Sequence, residues 1–453
     1  MLKHLVAATL FALAALGLAM PANAQITVNV GEGTADPLPI AVPDFNVDDP
    51  EVADVAADIA RVVRADLDRT GLFELKNPNA FIQTDLDIGA EPRFADWKII
   101  QTDALVVGEV GQTEDGRIRV DFRLWDIYAQ EVLRLEGQAG RRYVTTPENW
   151  RRIAHKIADS IYSRLTGEDG YLDSRIVYVS ETGPKQGGRT KRLVIMDSDG
   201  ANRRELTSGE YMVLTPRFSK SEQEITYVSY EGGPPRVYLF NIETGRQEVL
   251  GSLPGMKFAP RFSADGNSVL YAIADGGNTD LYIMDLNSGQ SRRMTNHPAI
   301  DVSPSMSPDG ERIVFTSDRG GSEQIYIMNT DGSPLTCPSG GRDTACRITF
   351  GEGSYSTPVW SPRADLIAFT KYLKNRFYIG VIRPDGQGER LLAESYLVEG
   401  PTWSPNGRVI AFFEEPRPGA GPRLMSVDLT GRNLREIPTP TDASDPAWSP
   451  LLD

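Results

Sequence analysis

From about residue 174 to the last residue, short runs of β-branched and aromatic residues alternate with polar, glycine-containing turns, and the alternation repeats. Each unit opens on Pro-x-aromatic (or Met)-Ser: Pro216-Arg217-Phe218-Ser219, Pro260-Arg261-Phe262-Ser263, Pro304-Ser305-Met306-Ser307, Pro358-Val359-Trp360-Ser361, Pro401-Thr402-Trp403-Ser404 and Pro446-Ala447-Trp448-Ser449. A polar turn such as "SPDG" follows, then a run such as "RIVFTS", a second run such as "QIYIMN", a turn ending in glycine and a short polar-flanked strand. Successive starter prolines stand 43–45 residues apart, with one interval of 54. Four strands per unit at this period predict the blades of a β-propeller.

The starters and the three-strand remainders are out of step. The first remainder, "RIVYVS…RLVIMD…RRELT", has no starter before it, and the last starter, "PAWSP", has no remainder after it. An open blade leaves an unpaired edge and a half-covered apolar face. Pairing the C-terminal strand with the first remainder removes both defects. The expectation is therefore an all-β propeller of six blades over residues 169–453, closed by its C-terminal strand.

Residues 37–168 lack this period. Asp49-Pro50-Glu51 has the composition of a helix start, and Val52, Val55, Ile59, Val62, Val63 and Leu67 recur at helical spacing up to Gly71. A second helix is expected from Thr146-Pro147-Glu148, with Trp150, Ile153, Ile157, Ile161 and Leu165 on one face and a stop near Gly167. Between them "DALVVGEV", "RIRVDFRLWD" and "EVLRLEGQAG" read as strands. The expectation is an α/β domain of two helices on a mixed sheet.

Residues 1–24 read as a secretory signal: Lys3, the apolar run Leu5 to Leu18, and the small residues Ala22 and Ala24 ahead of a cut before Gln25. The apolar run is short for a membrane span. In residues 25–36, Ile26, Val28 and Val30 alternate with polar residues ahead of "GEGTAD". This mobile strand is either an edge strand of the first domain or a detachable strand that adds to a partner's sheet.

Charge and cysteines narrow the class. A formal net charge of −15 argues against a nucleic-acid partner and against tight docking on anionic lipid. The two cysteines, Cys337 and Cys346, lie in the surplus of the 54-residue interval; in an exported chain they are expected to form a disulfide stapling a surface loop. A metal site would need more ligands than the nearby sequence offers. No G-x-S-x-G elbow, Walker loop or H-E-x-x-H occurs, and no cofactor is expected.

Taken together, the signal, the short N-terminal strand, the two-helix domain with "DALVVGEV", the "SPDG" starters, the "LYIMDLNSG" strand-turn and the closing "PAWSPLL" resemble the TolB family of the Tol-Pal system over essentially the whole exported chain. The resemblance implies a non-catalytic periplasmic scaffold, a monomer with no membrane span of its own. It implies binding of the lipoprotein Pal at one end of the propeller and of TolA through Ile26, Val28 and Val30, in the service of outer-membrane integrity and its invagination at cell division. Ala259 stands where a family member's Pal-contacting alanine precedes the proline, with Met256 and Val302 at neighbouring contact positions of different residue type. The connections ahead of each starter ("LPGMKFAP", "TNHPAIDVSP", "GEGSYSTP", "SYLVEGP") would form the rim, with Met256, Phe258, Ala259, Asp301, Val302, Ser303 and Tyr355 as expected Pal contacts. Apolar residues such as Ile300, Tyr396 and Leu397 suit such a rim.

Two other classes compete. An exported propeller hydrolase or lyase would need convergent groups at the channel mouth, where Asp301 and His297 are the candidates. A carbohydrate-binding propeller would stack sugars on Trp360, Trp403 and Trp448, although their starter positions favour burial.

Overall fold

The computed structural model describes residues 26–28, 36–184, 188–219, 223–251 and 254–452. The chain divides into two compact units after Gly167.

The first unit is built on a mixed sheet of β1 (Leu38–Ala41), β2 (Asn46–Val47), β3 (Phe73–Leu75), β4 (Ala104–Gln112), β5 (Ile118–Asp126), β6 (Glu131–Leu133) and β7 (Arg141–Thr145). The order is β3-β1-β4-β5-β6, with β2 also on β4 and β7 also on β5. β1 runs parallel to both β3 and β4, and β4 runs antiparallel to β5. Helix α1 (Ala53–Thr70) follows a 3-10 turn in which Asp49 Oδ1 accepts the Glu51 amide at 3.0 Å. Helix α3 (Trp150–Thr166) ends like α1 on a left-handed glycine, Gly167 at φ 73° and Gly71 at φ 71°. The two helices bury Ile59, Val63 and Leu67 with Ile157, Ile161 and Leu165, and the His155 imidazole meets Asp66 at 2.5 Å between them.

Leu105 and Val107 of β4 belong to a cluster on one face of the sheet; side-chain alternation turns Ala104 and Val106 to the other face. That cluster holds Trp97 of a short helix not expected from the sequence, α2 (Phe94–Ile99), with Leu86 and Trp125. Gly108 in β4 admits the Phe45 ring, which a Cβ there would meet at 2.5 Å.

The second unit carries six four-stranded antiparallel sheets among the described residues. Blade 1 combines the closing strand Asp442–Leu451 with Ser174–Thr182, Thr190–Asp197 and Arg204–Glu205. Blades 2 to 6 have inner strands Val213–Phe218, Met256–Phe262, Asp301–Met306, Ser354–Trp360 and Leu397–Trp403, each followed by its own three outer strands. The expected clasp is thus present: Ala443 stands opposite Ser180 and Trp448 opposite Ile176. Facing blades bury β-branched and aromatic side chains, as where Val177 and Leu193 of blade 1 meet Ile225, Tyr227 and Phe240 of blade 2. A cross-strand aromatic pair recurs as Tyr227–Tyr238, Tyr271–Tyr282 and Phe315–Tyr326. In blade 5 the partner of Phe369 is Gly380, where a Cβ would strike the Phe369 ring at 2.5 Å.

The starter motif owes its form to hydrogen bonding. The buried hydroxyls of Ser263, Ser307 and Ser404 each accept the amide five residues on, at 2.9 Å, closing the turn into the second strand. Cys337 and Cys346 are joined, with Cα atoms 5.1 Å apart, beside an extra hairpin of Leu335–Thr336 and Arg342–Asp343.

Candidate partner-binding rim and channel

Strand direction defines two faces of the propeller. Every inner strand begins where the preceding blade's outer strand ends, so these connections share one face, called the rim. The starter turns lie on the other, where the chain enters the propeller: Asp169 O accepts from Asn406 Nδ2 at 2.7 Å and Glu168 pairs with Arg363 at 3.1 Å.

At the rim, all six inner strands share an irregularity that the sequence concealed. The residue before each starter proline has positive φ, between 47° and 66°: Thr215, Ala259, Ser303, Thr357, Gly400 and Asp445. The ladder to the second strand slips at the same place in every blade, as from Leu214 to Arg217 and from Val302 to Ser305. Proline has no amide to give the ladder and disfavours a helical residue before it, so the strand bulges there. Five of the six carry a side chain in a region that costs roughly 1–2 kcal/mol for an L-residue.

The rim exposes apolar side chains from several blades. Met256 is 51% exposed, Ile300 48% and Phe350 54%, and Tyr211, Met212 and Tyr396 are exposed as well. Of the residues expected to face a partner, Met256 does reach solvent, and Phe258, Ala259, Val302 and Ser303 are half-buried. Asp301 and Tyr355 are corrected: both are fully buried. Asp301 takes both carboxylate oxygens to Arg319 Nη2, at 3.0 and 2.8 Å, and so ties the Ile300 loop to the neighbouring hairpin. The Tyr355 hydroxyl donates to Glu389, and Lys371 Nζ lies 4.6 Å from its ring centre. Tyr211, Met212 and Phe350 were not singled out in the sequence, although they lie at the corresponding places between blades 1 and 2 and between blades 4 and 5.

The competing site residues are engaged elsewhere. His297 Nδ1 accepts the Ala299 amide at 3.1 Å, and Asp301 is held by Arg319. Trp360, Trp403 and Trp448 are buried, their indole N–H groups donating to Ala364 O, Val359 O and Ser174 Oγ.

At the N-terminal segment, residues 26–28 are described and form no strand, and Val30 lies outside the described residues. Ile26 is half-buried. Val28 is buried and donates its amide to Leu165 O at 2.7 Å, filling one of the carbonyls that the end of α3 leaves open.

With this geometry in hand, comparison with known proteins is decisive. The family description "TolB amino-terminal domain" matches residues 26–133 and "TolB beta propeller domain" matches residues 162–452. The chain belongs to the TolB family. The Tol-Pal system protein TolB of Paramagnetospirillum magneticum is 53% identical over 456 residues, spanning 100% of this chain and 98% of the relative. The crystal structure of TolB from Acinetobacter baumannii superposes with a TM-score of 0.80 at 29% identity, covering 94% of this chain and 100% of the other. The TolB-family chain is therefore a Tol-Pal component, in two domains of which the second is the propeller.

Carboxylates on different blades of this TolB-family propeller come within electrostatic reach of one another. Glu399, half-buried on the inner strand of blade 6, stands near Asp445 of blade 1 and Glu323 of the blade 4 hairpin. Burial first, and then these two carboxylates, raise its pKa above the ordinary glutamate value. A raised folded-state value means that the stability tied to Glu399 is present at low pH and lost as pH rises through that value. Glu399→Gln is accordingly expected to raise the propeller's melting temperature at pH 8, because it removes the cost of charging a carboxyl that burial and its neighbours disfavour. The gain should shrink on acidification and vanish once the wild-type carboxyl is protonated. Calorimetric scans from pH 4 to 8 on both proteins measure it, and a gain independent of pH would contradict it.

Proposed function

We propose that this TolB-family chain is a non-catalytic periplasmic adaptor, exported by a cleaved signal and mature from Gln25. It binds Pal through the propeller rim and TolA through the N-terminal strand, and so serves outer-membrane integrity and its invagination at division. The observation that carries the Pal reading is the set of exposed apolar side chains on the rim connections: Tyr211, Met212, Met256, Ile300, Phe350 and Tyr396. An apolar patch of this kind, set among polar residues, is the usual core of a protein interface. Its members come from the connections between successive blades of a closed ring. The TolA reading is supported by the attachment of Val28, whose amide is held at the end of α3 by a hydrogen bond to Leu165 O, a contact that a partner's strand could replace. The non-catalytic reading is supported by the starter serines, whose hydroxyls are spent on turns. The acidic net charge of −15 favours a protein partner over nucleic acid.

The test is a pair of binding titrations on the mature protein. Met256→Asp/Ile300→Asp/Phe350→Asp is expected to weaken Pal about 100-fold, the loss of a small set of apolar anchors, and to leave TolA unchanged. Deletion of residues 25–36 is expected to abolish TolA binding while Pal still binds. Undiminished Pal affinity in the triple variant would reject the rim, and undiminished TolA binding after the deletion would reject the strand.

A further inference from the structure

We propose that Arg217 and Arg261 form an anion-binding subsite inside the propeller channel, suited to a small oxyanion of the phosphate or carboxylate class. The two arginines occupy one structural position, directly after the starter proline, on the adjacent inner strands of blades 2 and 3. The other four blades place Ser305, Val359, Thr402 and Ala447 there.

This position faces the axis. Val359 and Thr402 border a cavity of about 490 Å³ at the starter-turn end of the channel, together with Phe218, Phe262, Trp403 and Trp448. Groups on different blades also come within electrostatic reach of one another: Arg261 of Arg217, Arg217 of Asp445, and Asp445 of Glu399. Strands from blades 6, 1, 2 and 3 converge in this way only around the channel.

Elsewhere in the channel the smaller side chains at this position serve the scaffold. Ser305 Oγ accepts the Trp360 amide and Thr402 Oγ1 the Trp448 amide, both at 3.1 Å, tying each blade to the next. An arginine cannot accept a hydrogen bond, so neither Arg217 nor Arg261 takes over that task. Arg217 donates to the carbonyl of its own neighbour, Pro216, at 2.6 Å, and Asp445 balances part of its charge. Arg261 has no hydrogen bond or ion pair among the described residues. Burial, and then the charge of Arg217, push the Arg261 guanidinium well below its ordinary value. Arginine keeps its proton in proteins, so the cost is carried as an uncompensated positive charge with a planar fork of donors free. A tetrahedral or planar oxyanion accepts charge-assisted hydrogen bonds from such donors and would offset the charge of both arginines. Phe218 and Phe262, which directly follow the two arginines, border the cavity at the starter-turn end, and none of the exposed rim side chains does.

The experiment follows the mature protein by thermal shift and calorimetric titration, with sodium phosphate and sodium succinate as probes, each against sodium chloride at equal ionic strength. A saturable rise in melting temperature with either oxyanion, beyond that with chloride, is expected; which of them saturates assigns the class. Arg261→Gln should lower the affinity at least about tenfold, the loss of one charge-assisted fork, while Arg261→Lys keeps part of it. Without added oxyanion, Arg261→Gln should melt no lower than wild type, because it removes an unbalanced charge; an arginine with a purely structural role would instead destabilise when replaced. A tungstate soak should place anomalous density between the two guanidinium groups. A response equal to that of chloride for both anions overturns the proposal. So does undiminished binding by Arg217→Gln/Arg261→Gln.

Discussion

Ending the chain at Thr441 is expected to leave the propeller with no cooperative unfolding transition. The strand lost, Asp442–Leu451, is the inner strand of blade 1, and Ala443, Ala447 and Trp448 on it are buried. Its polar groups bind the ring at both sides. Trp448 Nε1 donates to Ser174 Oγ at 2.8 Å, Ser449 Oγ accepts the Arg175 amide at 2.8 Å, and Ser444 Oγ donates to Glu181 at 2.7 Å within blade 1. The Trp448 amide donates to Thr402 Oγ1 at 3.1 Å and reaches blade 6. Without the strand, the edge of Ser174–Thr182 and the facing surfaces of blades 2 and 6 would stand open. The milder Trp448→Ala removes one large buried side chain and should cost about 3–5 kcal/mol, a large part of a domain's stability. Urea unfolding followed by circular dichroism and tryptophan fluorescence measures both. A sharp, native-like transition in the shortened chain would mean that ring closure does not stabilise this fold.

The second large effect is expected at the rim. Arg319→Ala should destabilise the propeller by about 3–5 kcal/mol, because it strands the fully buried Asp301 carboxylate. The guanidinium also donates to Ser317 Oγ at 3.0 Å and lies 5.2 and 5.0 Å from the ring centres of Phe315 and Tyr326, so packing is lost with the charge. Asp301→Ala/Arg319→Ala should cost clearly less than the sum of the two single changes, since neither charge is then left alone. A double-mutant cycle in urea provides the comparison; additive costs would refute an energetic coupling of the pair. The pair also governs how binding data on this face are read. Asp301 is fully buried, so a variant there is expected to alter this face through the adjoining Ile300 loop, where the Ile300 amide donates to Asp318 at 2.8 Å.

Repetition made most of the propeller legible. The offset between starters and remainders identifies both the six blades and the closing strand, because only a ring satisfies it. The helices were legible through their caps, Asp49 with Gly71 and Gly167, and their apolar spacing. What escaped the sequence was of two kinds. Short elements, such as α2 and β1, have too few residues for a period, and their place is set by tertiary partners such as Gln83, which accepts from the Trp97 indole at 3.2 Å. Backbone geometry escaped as well. Thr215, Ser303 and Thr357 carry hydroxyls, Ala259 a methyl and Asp445 a carboxylate, yet each takes the same left-handed conformation ahead of its proline and beside the slipped ladder. At the candidate site, loop position was readable but exposure was not. Asp301 and Tyr355 look like surface residues in a loop, and each is drawn inward by a long-range partner, Arg319 or Glu389.

Ring closure also sets how the propeller answers to mechanical load. The strand that enters blade 1 at Ser174 and the one that leaves it at Leu451 are antiparallel neighbours, and the Leu452 amide still donates to Asp173 O at 3.0 Å. A pull between those two points acts across the strands and parts their bonds one after another, as a zipper opens. The same pull between the entering strand and a rim loop on the far side of the ring must instead act along intact ladders, which yield together. A molecule handling tension through this domain is thus expected to hold better when the tail is slack than when it is the tether, so a fusion or surface attachment at the C-terminus would load this seam one bond at a time.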